Sequence, residues 1–118
     1  MTTPLDVALA YYRAWTTHDF DLAMTYIADD IVCHAPAGRI EGAEAFRGFM
    51  EPFSRILTSS ELIGSYGDEK AALLMYATGT RPVASAPGAE FHTIHDGKIT
   101  QLRIIFDRLP FDQARAAQ

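Results

Sequence analysis

The chain has 118 residues, of which 48% are hydrophobic and 21% charged, which suits one folded domain and is too apolar for a disordered one. Ten basic residues against fifteen acidic ones give a net charge of −5, and Arg39, Arg47, Arg55 and Arg81 are scattered among acids; a nucleic-acid surface needs clustered cations, so none is expected. No apolar run approaches the ~20 residues of a membrane span, the start "MTTPLDVALAYYRAW" lacks the pattern of a signal peptide, and lone Cys33 has no partner for an intrachain disulfide, so a cytoplasmic location is expected.

A first helix is expected from Thr3, with Thr3 as N-cap, Pro4 at the first position and Asp6 closing an acidic capping box. Leu5, Ala8, Leu9, Tyr12 and Trp15 then recur at helical spacing, with Tyr11 beside them. "THDFD" breaks the pattern, and Asp19 caps a short second helix with Leu22, Ala23 and Ile27 inward. A strand follows at 31–35 and a short one at 39–41. A third helix is expected from about Ala43 to Leu57, carried by Phe46, Phe49, Met50, Phe53, Ile56 and Leu57. Pro52 should kink or split it near Met50.

Beyond Leu57 the character changes. Residues 62–66, 70–80, 89–95 and 98–107 read as strands, joined by "GDE", by "RPVASAPG" and by the hairpin turn "HDGK". Helices and strands segregate, which defines an α+β domain. A long, curved antiparallel sheet around the first and third helices would form a half-open cone with an apolar pocket at its wide end.

This order, with "YYRAWTTHDFDLAMTYIADDIVCHAPAG", "EGAEAFRGF" and "HDGKITQLRIIFD", resembles the SnoaL-like group of the nuclear-transport-factor-two-like superfamily. The resemblance spans nearly the whole chain and implies a cone-shaped α+β barrel. It also implies a small hydrophobic ligand, because the superfamily holds polyketide cyclases, ketosteroid isomerases and limonene-epoxide hydrolases beside non-catalytic binding modules. Carried over residue by residue, Tyr11 corresponds to the oxyanion-binding tyrosine of the isomerases and Glu90 to their second acid. The general base of the isomerases falls at Ala35, so that carboxylate is missing. Phe106-Asp107 matches the aromatic-Asp end of the last strand in the hydrolases, whose Arg-x-Asp motif is absent here.

The candidate catalytic residues are therefore Tyr11, Glu90, His92 and Asp107. A desolvated carboxylate beside an imidazole suits proton transfer near neutrality, and a tyrosine binds developing negative charge without bearing charge itself. Glu90 and His92 share one strand face by the two-residue period. The bland alternatives are a solvated Glu90 at the rim, a packing His92, and an Asp107 that ends its strand. Trp15, Phe49, Phe53, Leu74 and Tyr76 are candidate ligand-binding residues. His34 joins them only if a bulge beside Pro36 turns it inward. No metal-ligand spacing is found, since His92 and His95 fall on opposite strand faces, and no cofactor is expected. Cys33 reads as a small buried hydrophobe or a nucleophile. Leu73 and Met75 on the outer face of their strand, with the Ile104–Phe106 run, point to a homodimer through the outer sheet face, as the resemblance also implies. Two functions remain open: a cofactor-free isomerase, cyclase or hydrolase on a hydrophobic oxygen-bearing molecule, or a non-catalytic binding or dimerising module.

Overall fold

Thr3 sets the entrance to the first helix. In the computed structural model, which describes residues 2–117, the Thr3 hydroxyl accepts from the Asp6 amide at 3.1 Å and the Asp6 carboxylate accepts from the Thr3 amide at 3.0 Å. This capping box, with Pro4 just inside it, starts α1 (Pro4–Thr16). The helix ends on His18 in the left-handed region, φ 66°. There the Asp19 amide reaches back to the Ala14 carbonyl at 2.9 Å and the His18 amide to that of Trp15 at 3.4 Å, a Schellman closure. The Asp19 side chain then accepts from the Leu22 amide at 3.1 Å and opens α2 (Phe20–Met24). Phe20 and Ala23, three apart, take the buried face of that short helix. Leu22 falls on the far side and is exposed, against expectation.

The chain continues through β1 (Ile27–Ala35), β2 (Gly38–Glu41), α3 (Ala43–Ile56), β3 (Leu57–Gly67), β4 (Ala71–Thr80), β5 (Ala86–His95), β6 (Lys98–Phe106) and α4 (Leu109–Ala116). The strands form one sheet in the order β2-β1-β6-β5-β4-β3. The run from β3 to β6 is antiparallel, as expected, and β1 joins it in parallel alongside β6. Asp96 and Gly97 turn the β5–β6 hairpin with φ of 51° and 76°, the left-handed pair that a two-residue turn requires. The sheet is curved and unclosed, with β2 and β3 at its edges. α1 and α3 lie in its hollow, where Tyr11, Trp15 and Phe46 are fully buried with Ile31, Leu74 and Leu102. No helix among the described residues is long and apolar enough to cross a membrane.

Several elements begin earlier than the pattern predicts. β3 starts at Leu57 rather than Leu62, because it is an edge strand, exposed over most of its length and bulged twice, so it shows no clean alternation. β1 starts at Ile27, with exposed Asp29 and Asp30 and a register shift hiding its period. β5 starts at Ala86 and includes Pro87 and Gly88, residues that ordinarily end a strand. α3 runs unbroken through Pro52. Pro52 and Gly48, four residues before it, are both exposed, so water can satisfy the carbonyl that Pro52 leaves without a donor. The "RLPF" segment, expected as a turn, begins α4 with Pro110 in its first turn.

Replacing Thr3 by Ala removes the hydroxyl half of the capping box. It should lower stability by about 1 kcal/mol. In urea titration this should appear as a lower midpoint with an unchanged slope, since the fold and the area it buries stay the same.

Candidate functional site

The inward row of β5 carries the polar centre of the molecule. Glu90 is paired across the sheet with Leu74 on β4 and Ile104 on β6, and His92 with Ala72 and Leu102. All four neighbours are buried and apolar. Glu90 and His92 are themselves 0% exposed. The sequence pattern left Glu90 open to the rim, but the extension of β5 to Ala86 carries it inward from the strand's start.

A carboxylate in such surroundings must have its oxygens occupied. Glu90 Oε2 accepts from the Tyr76 hydroxyl at 2.6 Å. Glu90 Oε1 lies 3.0 Å from His92 Nε2. With Glu90 ionised, Nε2 must carry the hydrogen of that bond. His92 Nδ1 faces the Ala72 carbonyl at 3.4 Å, a longer and weaker contact. Tyr76, Glu90 and His92 thus form one hydrogen-bonded chain across β4 and β5.

Tyr11 packs edge-on against His92, with ring centroids 6.0 Å apart. Its hydroxyl is buried and has no hydrogen-bond partner among the described residues, and the same holds for Trp15 Nε1. Burial, reinforced by the charge of Glu90, holds the phenols of Tyr11 and Tyr76 well above their ordinary range. Both stay protonated at neutral pH. Burial, and then Glu90, also pushes the Cys33 thiol up to about 12. A thiol so held is no nucleophile, and Cys33 serves as a small core residue of β1.

Beside this centre lies a cavity of about 80 Å³ lined by Phe49, Met50, Phe53, Tyr76, Ala86, Gly88, Ile104, Phe106 and Phe111. Tyr76 alone among these side chains carries an oxygen. Phe111 of α4 closes one side, packed against Phe53 at 6.3 Å and Phe106 at 5.9 Å between ring centroids.

The structure brings Tyr11, Trp15, Leu74, Glu90 and His92 together in the buried centre, and sets Phe49, Phe53 and Tyr76 on the cavity wall. Two expected residues lie elsewhere. Asp107 is exposed, and its carboxylate accepts from the Leu109 amide at 3.0 Å, so it ends β6 and leads into α4. His34 is half-buried on the strand face opposite Cys33, between Arg39 and Arg103, because β1 keeps its alternation there and no bulge reverses it. The sequence reading missed Phe106 and Phe111 as lining residues. Phe106 was findable as the next inward position after Leu102 and Ile104. Phe111 was hidden by the reading of α4 as a turn.

A cone-shaped α+β domain with a buried acid–imidazole pair beside an apolar cavity is the class that these elements define. The model of the SnoaL-like domain matches residues 8–102, and the chain belongs to that family. It is similar to a crystallised protein from Kribbella flavida DSM 17836, with 66% identity over 99% of this chain and 97% of that one and a TM-score of 0.96. An NTF2-like protein of unknown function from Cytophaga hutchinsonii shares the fold at 20% identity, over 95% of this chain and 96% of that one, with a TM-score of 0.79. So does a protein from Sinorhizobium meliloti put forward as a polyketide cyclase, at 24% identity over 85% and 94% of the two chains, with a TM-score of 0.74. Comparison with curated proteins finds no match.

Cys33 supplies a check on the buried centre. Its thiol should resist an aromatic disulfide reagent at pH 8 in the folded protein and react at once in denaturant. The folded state holds the thiol proton more tightly than the unfolded state, so the contribution to stability is full below pH 9 and is lost as pH rises towards 12. Denaturation midpoints measured between pH 8 and pH 11 should fall with pH. The Cys33→Ala variant should fall less steeply.

Proposed function

We propose that this domain binds a small hydrophobic, oxygen-bearing molecule and carries out cofactor-free acid/base chemistry on it, of the isomerase, cyclase or hydrolase type. The observation that carries this reading is the fully buried Glu90–His92 pair, bonded at 3.0 Å, next to an apolar cavity. A buried ionisable pair costs stability relative to apolar residues of the same size. Buried acid–base pairs cluster at working sites. Tyr11 adds a buried hydroxyl with no partner among the described residues, a donor ready for a developing oxyanion. Cytoplasmic residence fits a protein whose lone cysteine stays a thiol. Steroid isomerisation of the usual kind is disfavoured, since residue 35 is an alanine.

A second reading is favoured by one specific feature. None of Tyr11, Glu90 and His92 is on the cavity wall, which suits a module that binds an apolar ligand without turning it over. A thermal-shift panel of hydrophobic ketones, phenols and epoxides finds the ligand class; a ligand at 100 times its dissociation constant adds about 2.7 kcal/mol. Turnover is then measured on the ligands that bind. Glu90→Gln and His92→Asn should each lower turnover by about 10²-fold or more, with binding changed only a few-fold. A bound ligand that the wild-type protein leaves unchanged would select the second reading.

For assembly, we propose a homodimer through the outer sheet face. Leu73, Met75, Phe91 and Ile105 stand there, each 44–65% exposed, on three neighbouring strands. A monomer seldom shows water so continuous an apolar face. Sedimentation should give twice the mass of the chain, and Met75→Glu with Phe91→Glu should give the monomer. A wild-type monomer at tens of micromolar would overturn the assignment.

A further inference from the structure

We propose that Tyr76 is the group that meets the ligand, and that it connects the cavity to Glu90 as a proton relay. This rests on the acid/base reading above and narrows its substrate class.

The placement of Tyr76 is specific. Its ring lies over Gly88, its cross-strand partner on β5. A Cβ at residue 88 would come within 3.1 Å of Tyr76 Cε1 and 3.3 Å of the Ile105 carbonyl, tight enough that the ring would have to give by a few tenths of an ångström. Glycine at 88 therefore gives the ring room to come this close to β5. So placed, the ring shares the cavity wall with Gly88, Ile104 and Phe106, while its hydroxyl bonds Glu90 at 2.6 Å. Every other lining side chain is a hydrocarbon or a thioether. Any polar handle of a ligand in this cavity has one side-chain oxygen to address.

The direction of the existing bond fixes what that handle must be. Tyr76 spends its hydrogen on Glu90, so it offers the cavity a lone pair. The matching ligand group is a donor: a phenol, an enol or an alcohol, rather than a ketone or an epoxide. The transfer balances as follows. The ligand O–H bond breaks and a bond from that hydrogen to Tyr76 Oη forms. The original Tyr76 O–H bond breaks and its hydrogen passes to Glu90 Oε2. The electron pair stays on the ligand oxygen. Negative charge moves from Glu90 to the ligand, and no tyrosinate accumulates. Return of the proton to another ligand atom completes an isomerisation. His92 holds the other oxygen of Glu90 throughout and acts as a positioning residue.

The probes are phenol, its methyl ether anisole, and cyclohexanone, with dissociation constants measured by ligand-observed NMR. A hydrogen bond of ordinary net worth predicts phenol about 3- to 10-fold tighter than anisole. In Tyr76→Phe that advantage should vanish, with anisole unchanged. Gly88→Ala, which displaces the ring, should reproduce the loss. 4-Nitrophenol reads the relay itself. Part of the bound probe should show the yellow phenolate band at a pH where the free probe is neutral, and Glu90→Gln should abolish the band while neutral probe still binds. Equal affinity for phenol and anisole, a preference for cyclohexanone, or a phenolate band that survives Tyr76→Phe would overturn the relay and leave the pocket standing. Failure of all probes to bind would overturn both the relay and the reading on which it rests.

Discussion

The constraint on which this molecule turns is a carboxylate placed where water cannot reach it. Glu90 sits at the centre of a sheet, between Leu74 and Ile104, and an unpaired charge there would cost several kcal/mol. The surrounding elements answer that cost. β4 supplies the Tyr76 hydroxyl to one oxygen, and His92, two residues along β5, supplies a ring nitrogen to the other. Burial first, and the Glu90 carboxylate after it, raises the barrier to ionising the acids nearby, so Tyr11, Tyr76 and Cys33 are all held protonated. The buried acid thus adds to what desolvation already imposes on its neighbours. The neighbours that tolerate it are those that can give a hydrogen bond or stay neutral.

Much of this was legible in the chain because two independent periods agree. The helical spacing from Leu5 to Trp15 and the alternation through Leu74, Tyr76 and Thr78 each assign an inward face, and both faces are the buried ones. Capping chemistry located the start of α1 and α2 because Thr3 and Asp19 leave specific donors to satisfy. The Glu90–His92 pairing followed from a spacing of two on one strand. What was not legible depends on contacts distant in sequence. The bond from Tyr76 to Glu90 spans fourteen positions and needs the register of β4 against β5, which no local period gives. His34 and Asp107 were candidates only through analogy with relatives. Ordinary strand alternation and a local turn bond account for where they lie.

The fold offers several inward rows, and chemistry can occupy any of them. The row on β1 holds Cys33 and Ala35, and neither is an acid near neutrality. The row on β5 holds the acid and the imidazole instead. Such a placement leaves the cone intact, because the sheet needs only that each inward side chain be apolar or satisfied. This is why membership of the family identifies the architecture and not the reaction. Function has to be argued from which row bears polar groups, and from what those groups touch.

The cavity and the polar centre meet at the cross-strand pair of Tyr76 and Gly88. A large aromatic opposite a glycine is a common way for a sheet to seat a ring, since the missing Cβ leaves the flat face room. Here the pair does more than pack. Tyr76 has one side against the apolar cavity and its hydroxyl in the buried chain, so it is a wall to the one and a member of the other. A bulkier residue at 88 would lift the ring and bring the two environments into conflict. It would either push the phenol into the space a ligand needs or take from Glu90 one of its two donors. The geometry therefore couples the shape of the cavity to the satisfaction of the acid, and the proposed chemistry depends on that coupling through one hydroxyl.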